Sequence, residues 1–398
     1  MNSLAIDGGT PVSDHLIGYG HQYIDDDDIN AVVDTLRSDY LTCGPKTKLF
    51  EKALSQKTGA KYVTAVANGT AALHIACLAA GITKGDEVIV SSITFAASAN
   101  CVLYCGAKPI FADIDPDSWN ISPSSVEKLI TSKTKAIIAV DFGGVPVDAT
   151  EIRRICNENN LLFIEDAAHS LGSYYNNTPI GSVADITTFS FHPVKTITTG
   201  EGGAIATNDK TLAKQIELFS KHGITRDRSL MQNTSEGDWY YEQILLGYNY
   251  RISDLQAALG ISQISKLNHF ISKRQQIVDI YNQAFKKVPC VSFQYDSNPK
   301  KTARHLYCLR FDLNALDTSK KFLYDAFLAE GIGVNVHYLP VYRLPFYRDL
   351  GYSFDICPEA NKYYEESLTL PLHYCLTENE VASVIEATEK IVKYCLSK

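Results

Sequence analysis

The chain of 398 residues is 45% hydrophobic and carries 37 Lys+Arg against 45 Asp+Glu, a net charge of -8. It can bury a large core, and its length suits about two or three domains' worth of mass. The acidic balance speaks against nucleic acid or an anionic membrane as partner, and its 10 cysteines, with no CxxC pair, read as reduced, buried thiols of a cytoplasmic protein without structural zinc.

The opening MNSLAIDGGTPVSDH lacks the basic start and apolar core of a signal peptide. YIDDDDINAVVDTLRS predicts a helix with Ile29, Val32, Val33 and Leu36 on one face and a solvated acidic cap in its first turn. LFEKALSQKTG predicts a second helix ending at Gly59, and YVTAVANGTAALHIACLAAG a strand, a tight turn and a helix. Asn68, Gly69, Thr70 and His74 make this stretch too polar to cross a bilayer. DEVIVSS, KPIFADID, AIIAVDF, LLFIEDA and ITTFSF follow as short strands, separated by helices such as PSSVEKLI and ATEIRRICNENN. Asp113, Asp115 and Asp117 mimic the start of a calcium loop, but Ser118 and Ser124 stand where that loop needs Gly and Glu. After Ser253 the pattern turns to long helices, then to strands near HLYCLRFDL and GVNVHY and closing helices.

Strand and helix in alternation predict an α/β fold: a large, doubly wound, mainly parallel sheet domain with a smaller C-terminal α+β domain. The divisions fall at an arm over 1–24, a large domain over 25–265 and a small domain over 266–398.

The run Leu161 to Ile164 ends in Glu165-Asp166, and a carboxylate at the carboxyl end of a buried parallel strand sits where open α/β sheets bind ligands. The next strand leads to Lys195 in a Thr- and Gly-rich loop. An aspartate and a lysine at neighbouring strand ends suit pyridoxal 5'-phosphate, which needs a lysine to hold its aldehyde carbon and an acid to keep its ring nitrogen protonated. Asp166 and Lys195 are the catalytic candidates. Asn68, Gly69 and Thr70 stand at a strand-to-helix turn, a ready site for the cofactor phosphate; a plain helix cap is the alternative. The glycines of the GEGG stretch at Gly200 to Gly203 let the backbone pass close beneath the cofactor.

FIEDAAHSLGS and TTFSFHPVKTITTGEGGAI closely resemble the DegT/DnrJ/EryC1 family of sugar aminotransferases, and the likeness runs from IDGGTPV near the N-terminus to HYLPVY near residue 340. The resemblance implies a fold-type I pyridoxal-phosphate enzyme, with Ser190 joining the phosphate turn and Asn249 reaching the phosphate from a neighbouring subunit of a homodimer. It implies that Phe95 stacks on the cofactor ring, unless it is an ordinary core residue, and that His169 faces the cofactor's phenolic oxygen. FSFHPVKTITTGEGG, HGITRDRS, WYYEQILLGYNYR and VHYLPVY look most like the branch that aminates C4 of UDP-linked 4-keto-6-deoxy-N-acetyl sugars for pseudaminic acid. By that likeness the donor is glutamate, leaving 2-oxoglutarate. The sugar nucleotide meets Tyr19, the Asp39-Tyr40-Leu41-Thr42 stretch, Gly69, Ser190, Asn249 and His337-Tyr338-Leu339-Pro340. Arg226 and Arg228 are candidates for the diphosphate, or solvated surface charges. An offshoot that dehydrates sugars has histidine in place of the lysine, and Lys195 argues against it. A non-catalytic relative would lack Asp166, Lys195 or the phosphate turn, and none is missing.

Overall fold

The computed structural model describes residues 3–233, 235–298 and 301–397. Its strands are β1 (Tyr62–Val66), β2 (Glu87–Ser91), β3 (Lys108–Ala112), β4 (Thr134–Val140), β5 (Leu162–Asp166), the hairpin β6 and β7 (Tyr174–Tyr175, Thr178–Pro179), β8 (Ile186–Ser190), β9 (Gly203–Thr207), the short pair β10 and β11 (Ile224–Thr225, Glu242–Gln243), β12 (Val291–Phe293), β13 (Tyr307–Phe311) and β14 (Ser367–Leu370). Its helices are α1 (Asp26–Leu36), α2 (Pro45–Thr58), α3 (Gly69–Ala79), α4 (Ala97–Tyr104), α5 (Pro123–Leu129), α6 (Ala149–Asn159), α7 (Lys210–Ser220), α8 (Asp254–Phe285), α9 (Lys320–Ala329), α10 (Pro345–Asp349), α11 (Pro358–Glu366) and α12 (Glu378–Leu396).

Seven strands form the large sheet in the order β1-β9-β8-β5-β4-β2-β3, parallel except that β9 runs against both its neighbours. Both faces are covered, as the continuous apolar runs require. Val88, Val90, Ile138 and Ile164 share a core with α3 and α4, while Ile89, Ile137 and Phe163, the alternating residues, pack with Ile152 and Ile155 of α6. Phe50, Leu54, Leu267 and Phe270 cover Phe189 and Ala204. A second core joins β13, β14, α9, α12 and the C-terminal half of α8 to Leu4 and Ile17 of the N-terminal segment. The long α8 starts at Ser253, whose hydroxyl and Gln256 make a reciprocal cap. No helix among the described residues is long and apolar enough to cross a membrane.

Several details differ from the sequence reading. In α1 the buried residues are Asp28 and Thr35, while Ile29 and Leu36 are exposed. Asp28 caps the helix with Asp25, yet it is enclosed rather than solvated, bonded by Gln263 Nε2 at 2.7 Å and Lys266 Nζ at 3.1 Å. GVNVHY is not a strand. Gly333 N–H donates to Ile17 in the N-terminal segment, whereas Asn335 pairs with Thr369 of β14, so no continuous ladder forms. The third strand of the small sheet is β14 instead, between β13 and α12 in neither pattern nor turn signal. Asp113 caps the start of α11, accepting from the N–H groups of Glu359 and Ala360. Cys43 and Cys375 are exposed and Cys105 and Cys290 half-buried, rather than buried like the other six.

Candidate active site

The parallel register places Asp166 at the carboxyl end of β5, opposite Val140 of β4 and Thr188 of β8. Its side chain is enclosed, at 5% exposure, and each oxygen has a donor. Ser98 Oγ donates to Oδ2 at 2.6 Å, and the Ala168 N–H to Oδ1 at 3.1 Å. Ser98 is itself 2.7 Å from Thr94 Oγ1. Burial raises the pKa of Asp166, while Ser98, Ala168 and the nearby Lys195 charge oppose the rise. Glu165 turns to the other face of the strand, fully buried, where burial and Asp141 push its pKa well up. It is a core acid, apart from the Asp166 cluster.

Lys195 lies on the loop between β8 and β9. Phe191 N–H donates to Gly202 and Thr199 N–H to Phe191, so the loop is closed at its base. Burial lowers the Lys195 pKa to about 8, with Asp166 pulling it up. The unprotonated amine is therefore reached closer to neutrality than in an ordinary lysine, the property a proton-transferring residue needs.

Asn68 caps α3, accepting from the Ala71 N–H at 2.8 Å. The N–H groups of Gly69 and Thr70 begin this helix and by helix geometry lack an acceptor within it. The glycines here are forced by close approach. A Cβ on Gly69 would lie 2.9 Å from Ser190 Cβ, and one on Gly203 would lie 2.5 Å from the Asn68 carbonyl oxygen. Ser190 thus stands directly against the turn.

A ring cluster closes the other side. His169 Nδ1 accepts from the Gly143 N–H at 3.3 Å, which places the proton of the neutral ring on Nε2, 3.1 Å from Tyr338 Oη. Burial and the Lys195 charge lower the His169 pKa well below the usual imidazole range. Tyr338 stacks near His169 with centroids 6.1 Å apart and meets Phe95 at 6.4 Å. Tyr19 lies 5.3 Å from His337, whose Nδ1 bonds Thr369 Oγ1 at 2.9 Å. Burial brings the His337 pKa down to about 3. Phe95 is 63% exposed, so it is no core residue; its face is open. Leu339 and Pro340 follow Tyr338 and lead into Val341, which donates to Ser92.

The remaining candidates stand apart from this cluster. Asp39, Tyr40, Leu41 and Thr42 are exposed, in a loop fastened to α8 where Asp254 N–H donates to Leu41 and Thr42 bridges Ser253. Buried Asp254 in turn accepts from Gly44 N–H, Lys46 N–H and Thr47 Oγ1. Asn249 is exposed and bonded by Arg251 at 3.0 Å. Arg226 and Arg228 both bind Asp238 within their own loop.

Three residues near the cluster escaped the sequence reading. Ser98 follows Phe95 by one helical turn, the signal that could have found it. His305, 4.5 Å from His169 by ring centroid, and Arg274, beside it on α8, come from distant segments and announce nothing locally.

An amine near pKa 8, a shielded carboxylate, a glycine-made cradle at a helix start and an open aromatic face together fit pyridoxal 5'-phosphate. The family model for the DegT/DnrJ/EryC1/StrS aminotransferase family matches residues 22–389. The chain belongs to that family. It is a transaminase, and its cofactor is pyridoxal 5'-phosphate. This DegT/DnrJ/EryC1/StrS aminotransferase is 40% identical over 361 residues to the UDP-4-amino-4,6-dideoxy-N-acetyl-beta-L-altrosamine transaminase of Campylobacter jejuni, covering 90% of this chain and 93% of that one. Its fold matches the pyridoxal-phosphate form of Spr1654, a sugar aminotransferase from Streptococcus pneumoniae, with a TM-score of 0.88 at 30% identity, over 96% of this chain and 100% of that one. It also matches Helicobacter pylori PseC, an aminotransferase involved in the biosynthesis of pseudoaminic acid, with a TM-score of 0.87 at 32% identity, over 95% and 100% of the two chains.

Proposed function

We propose that this aminotransferase moves the amino group of glutamate to C4 of a UDP-4-keto-6-deoxy-N-acetyl sugar. The product would be UDP-4-amino-4,6-dideoxy-N-acetyl-β-L-altrosamine, a precursor of pseudaminic acid for cell-surface polysaccharide or flagellin, made in the cytoplasm by a homodimer with shared sites. The observation that carries the chemistry is the Lys195 amine with its pKa lowered to about 8 beside the buried Asp166. The choice of sugar rests on the Campylobacter relative.

Bound pyridoxal phosphate supplies an electron sink for the charge released at the α-carbon. Lys195 carries a proton between the donor's α-carbon and the cofactor's C4' carbon. Asp166, whose two oxygens accept from Ser98 Oγ and the Ala168 N–H, retains the proton on the ring nitrogen. Asn68, Gly69, Thr70 and Ser190 hold the phosphate, with Asn249 of the partner subunit, while Phe95 and His169 bear on the ring. Tyr19, His337, Tyr338, Leu339 and Pro340, with the loop at Asp39 to Thr42, receive the sugar nucleotide, with Arg226 and Arg228 toward its diphosphate.

Exposed Trp239, Tyr241 and Leu246, at 74%, 51% and 77%, share a segment with Asn249 and favour a partner subunit covering it. A single-turnover assay tests the substrate: load the enzyme with amine, offer UDP- and dTDP-4-keto sugars in turn, and follow return of the aldehyde form. Fast return is expected with the UDP-linked N-acetyl sugar of L-arabino configuration. Return with a simple 2-oxo acid other than 2-oxoglutarate, and with no keto sugar, would mean an amino-acid aminotransferase instead.

A further inference from the structure

Three thiols meet where α3 and α4 pack on the large sheet. Cys77 of α3 and Cys101 of α4 are fully buried, and Cys105, the residue that ends α4, is half-buried. Cys77 Sγ donates to Cys101 Sγ at 3.5 Å, and Cys101 Sγ donates to the Ser98 carbonyl oxygen at 3.2 Å. Cys77 also stands beside Cys105, close enough for its S–H to stabilise the Cys105 thiolate. No group of His, Cys, Asp and Glu side chains among the described residues is arranged to hold a metal ion, so the thiols answer to one another.

One member of the cluster is primed to react. The Cys77 thiol, and after it the His74 ring, lower the Cys105 pKa against the effect of burial, while Cys101 and Cys105 push that of Cys77 well up. His74 is 5% exposed; its Nδ1 lies 3.3 Å from Tyr250 Oη and its Nε2 has no hydrogen-bond partner, so the ring keeps one nitrogen uncommitted beside the thiols. A low-pKa thiol that solvent reaches, with a second thiol at its side, is the arrangement that oxidant-sensing cysteines share. Cys43 and Cys375 are more exposed, yet their sulfurs contact Thr42, and His21 with Gln22, rather than a thiol.

We propose that Cys105 is a site of oxidation by hydrogen peroxide and that Cys77 resolves it to a disulfide. The Cys105 sulfur attacks one peroxide oxygen, the O–O bond breaks, and the departing hydroxide becomes water with the proton released by the thiol. Cys77 then attacks the sulfenic sulfur; the S–O bond breaks, a second water leaves with the Cys77 proton, and the S–S bond forms. Two thiols lose two electrons and two protons, and one peroxide becomes two waters. A small dithiol reverses the bond by exchange. The place matters because both helices run back to the active site. α3 begins at the Gly69–Thr70 turn, and α4 carries Ser98, which bonds Asp166 at 2.6 Å. An S–S bond is about 2.05 Å long, so thiols in non-bonded contact must draw together by more than about 1 Å, and the shift passes along both helices. What the bond does to turnover rests on the cofactor reading above; the bond itself does not.

The test uses the cofactor-loaded enzyme. After hydrogen peroxide, and blocking of the remaining thiols with N-ethylmaleimide, peptide mass mapping without reductant should find Cys77 joined to Cys105. The glutamate half-reaction should slow about 10- to 100-fold, the scale of an ångström's misplacement, and dithiothreitol should reverse both changes. Cys105→Ser should show no joined peptide and keep its rate through the same treatment. In Cys77→Ala the sulfenic acid has no resolver, and dimedone should trap it at Cys105. If that variant does not fold, dimedone added to the wild type together with peroxide should label Cys105 in place of the joined peptide. Cys101→Ala should still join Cys77 to Cys105. No oxidation at Cys105, or a bond from Cys105 to a cysteine other than Cys77, would overturn the assignment. Equal loss of rate in the wild type and Cys105→Ser would overturn the link to the active site, while the mass map decides the bond independently. An enzyme that joins the two cysteines but takes no amine from glutamate before oxidation would refute the transamination reading alone.

Discussion

At the scale of single residues, the site turns on how burial redistributes protons. Lys195 in water would be almost wholly protonated at neutral pH; here its pKa is lowered to about 8. Only the unprotonated amine attacks an aldehyde. Recombination of the cofactor-free protein with pyridoxal phosphate should therefore quicken as pH rises toward 8 and level off above it. A rate that keeps climbing tenfold per pH unit to pH 10 would show an ordinary solvated lysine. Asp166→Asn should still bind cofactor, yet slow the glutamate half-reaction by roughly 100- to 1000-fold, the usual scale for losing a placed charge. Ser98→Ala should slow it by about 10-fold, since it removes one hydrogen bond and leaves the Ala168 N–H in place. A wild-type rate in Asp166→Asn would demote that residue to structure. Asp166 and Lys195 were legible because strand-end position and residue type together limit what they can do. Ser98 was less so: its place one turn after Phe95 is a local cue, but its bond to Asp166 joins residues 68 apart in the chain. Arg274 and His305 were hidden for the same reason: each looks ordinary until the fold brings the other beside it.

At the scale of elements, fit replaces charge as the controlling quantity. Gly203 pairs with Ser190 across β8 and β9 and lies under the carbonyl of Asn68, backbone against backbone, with no flexible side chain to yield. Gly203→Ala should cost about 1–3 kcal/mol of stability, as overpacking does, read by thermal unfolding without cofactor, and should weaken phosphate binding as well. An unchanged Tm would mean that the α3 turn has slack. Asp254 does the corresponding work for the exposed loop at Asp39 to Thr42. Asp254→Ala leaves three donors unmet and should cost about 2–3 kcal/mol, with KM for the sugar nucleotide rising more than kcat falls. The large-sheet strands were readable because each is a short apolar run between turn signals. The small sheet was less so. GVNVHY has strand composition but divides its hydrogen bonds between two neighbours, while SLTL pairs with β13 from a place in the chain that offers no local cue.

At the scale of the whole molecule, the question is where one site ends and the next begins. Asn249 is exposed, bonded by Arg251, and flanked by apolar side chains open to solvent. If it serves the partner's cofactor, mixing inactive Lys195→Ala with an inactive Asn249→Ala protein should restore activity after subunit exchange. Heterodimers then collect both lesions in one site and leave the other whole, for at most about half the activity of a wild-type dimer. No recovery, with exchange verified by mass, would place the whole site within one chain.

The reversed strand β9 has a wider consequence. Because β8 returns through β9 rather than crossing over a helix, the segment bearing Lys195 is a closed loop whose two ends are stitched together at Ser190 and Gly203. Asp166 sits on the next strand of the same rigid sheet. His337 and Tyr338 arrive on segments outside that sheet. The pair proposed to handle the proton and the groups proposed to meet the incoming molecules thus stand on mechanically separable parts of the fold. Drift, insertion or repacking in the C-terminal half can alter which compound is accepted while the distance between amine and carboxylate stays fixed. One scaffold can in this way diversify its choice of sugar without rebuilding its chemistry.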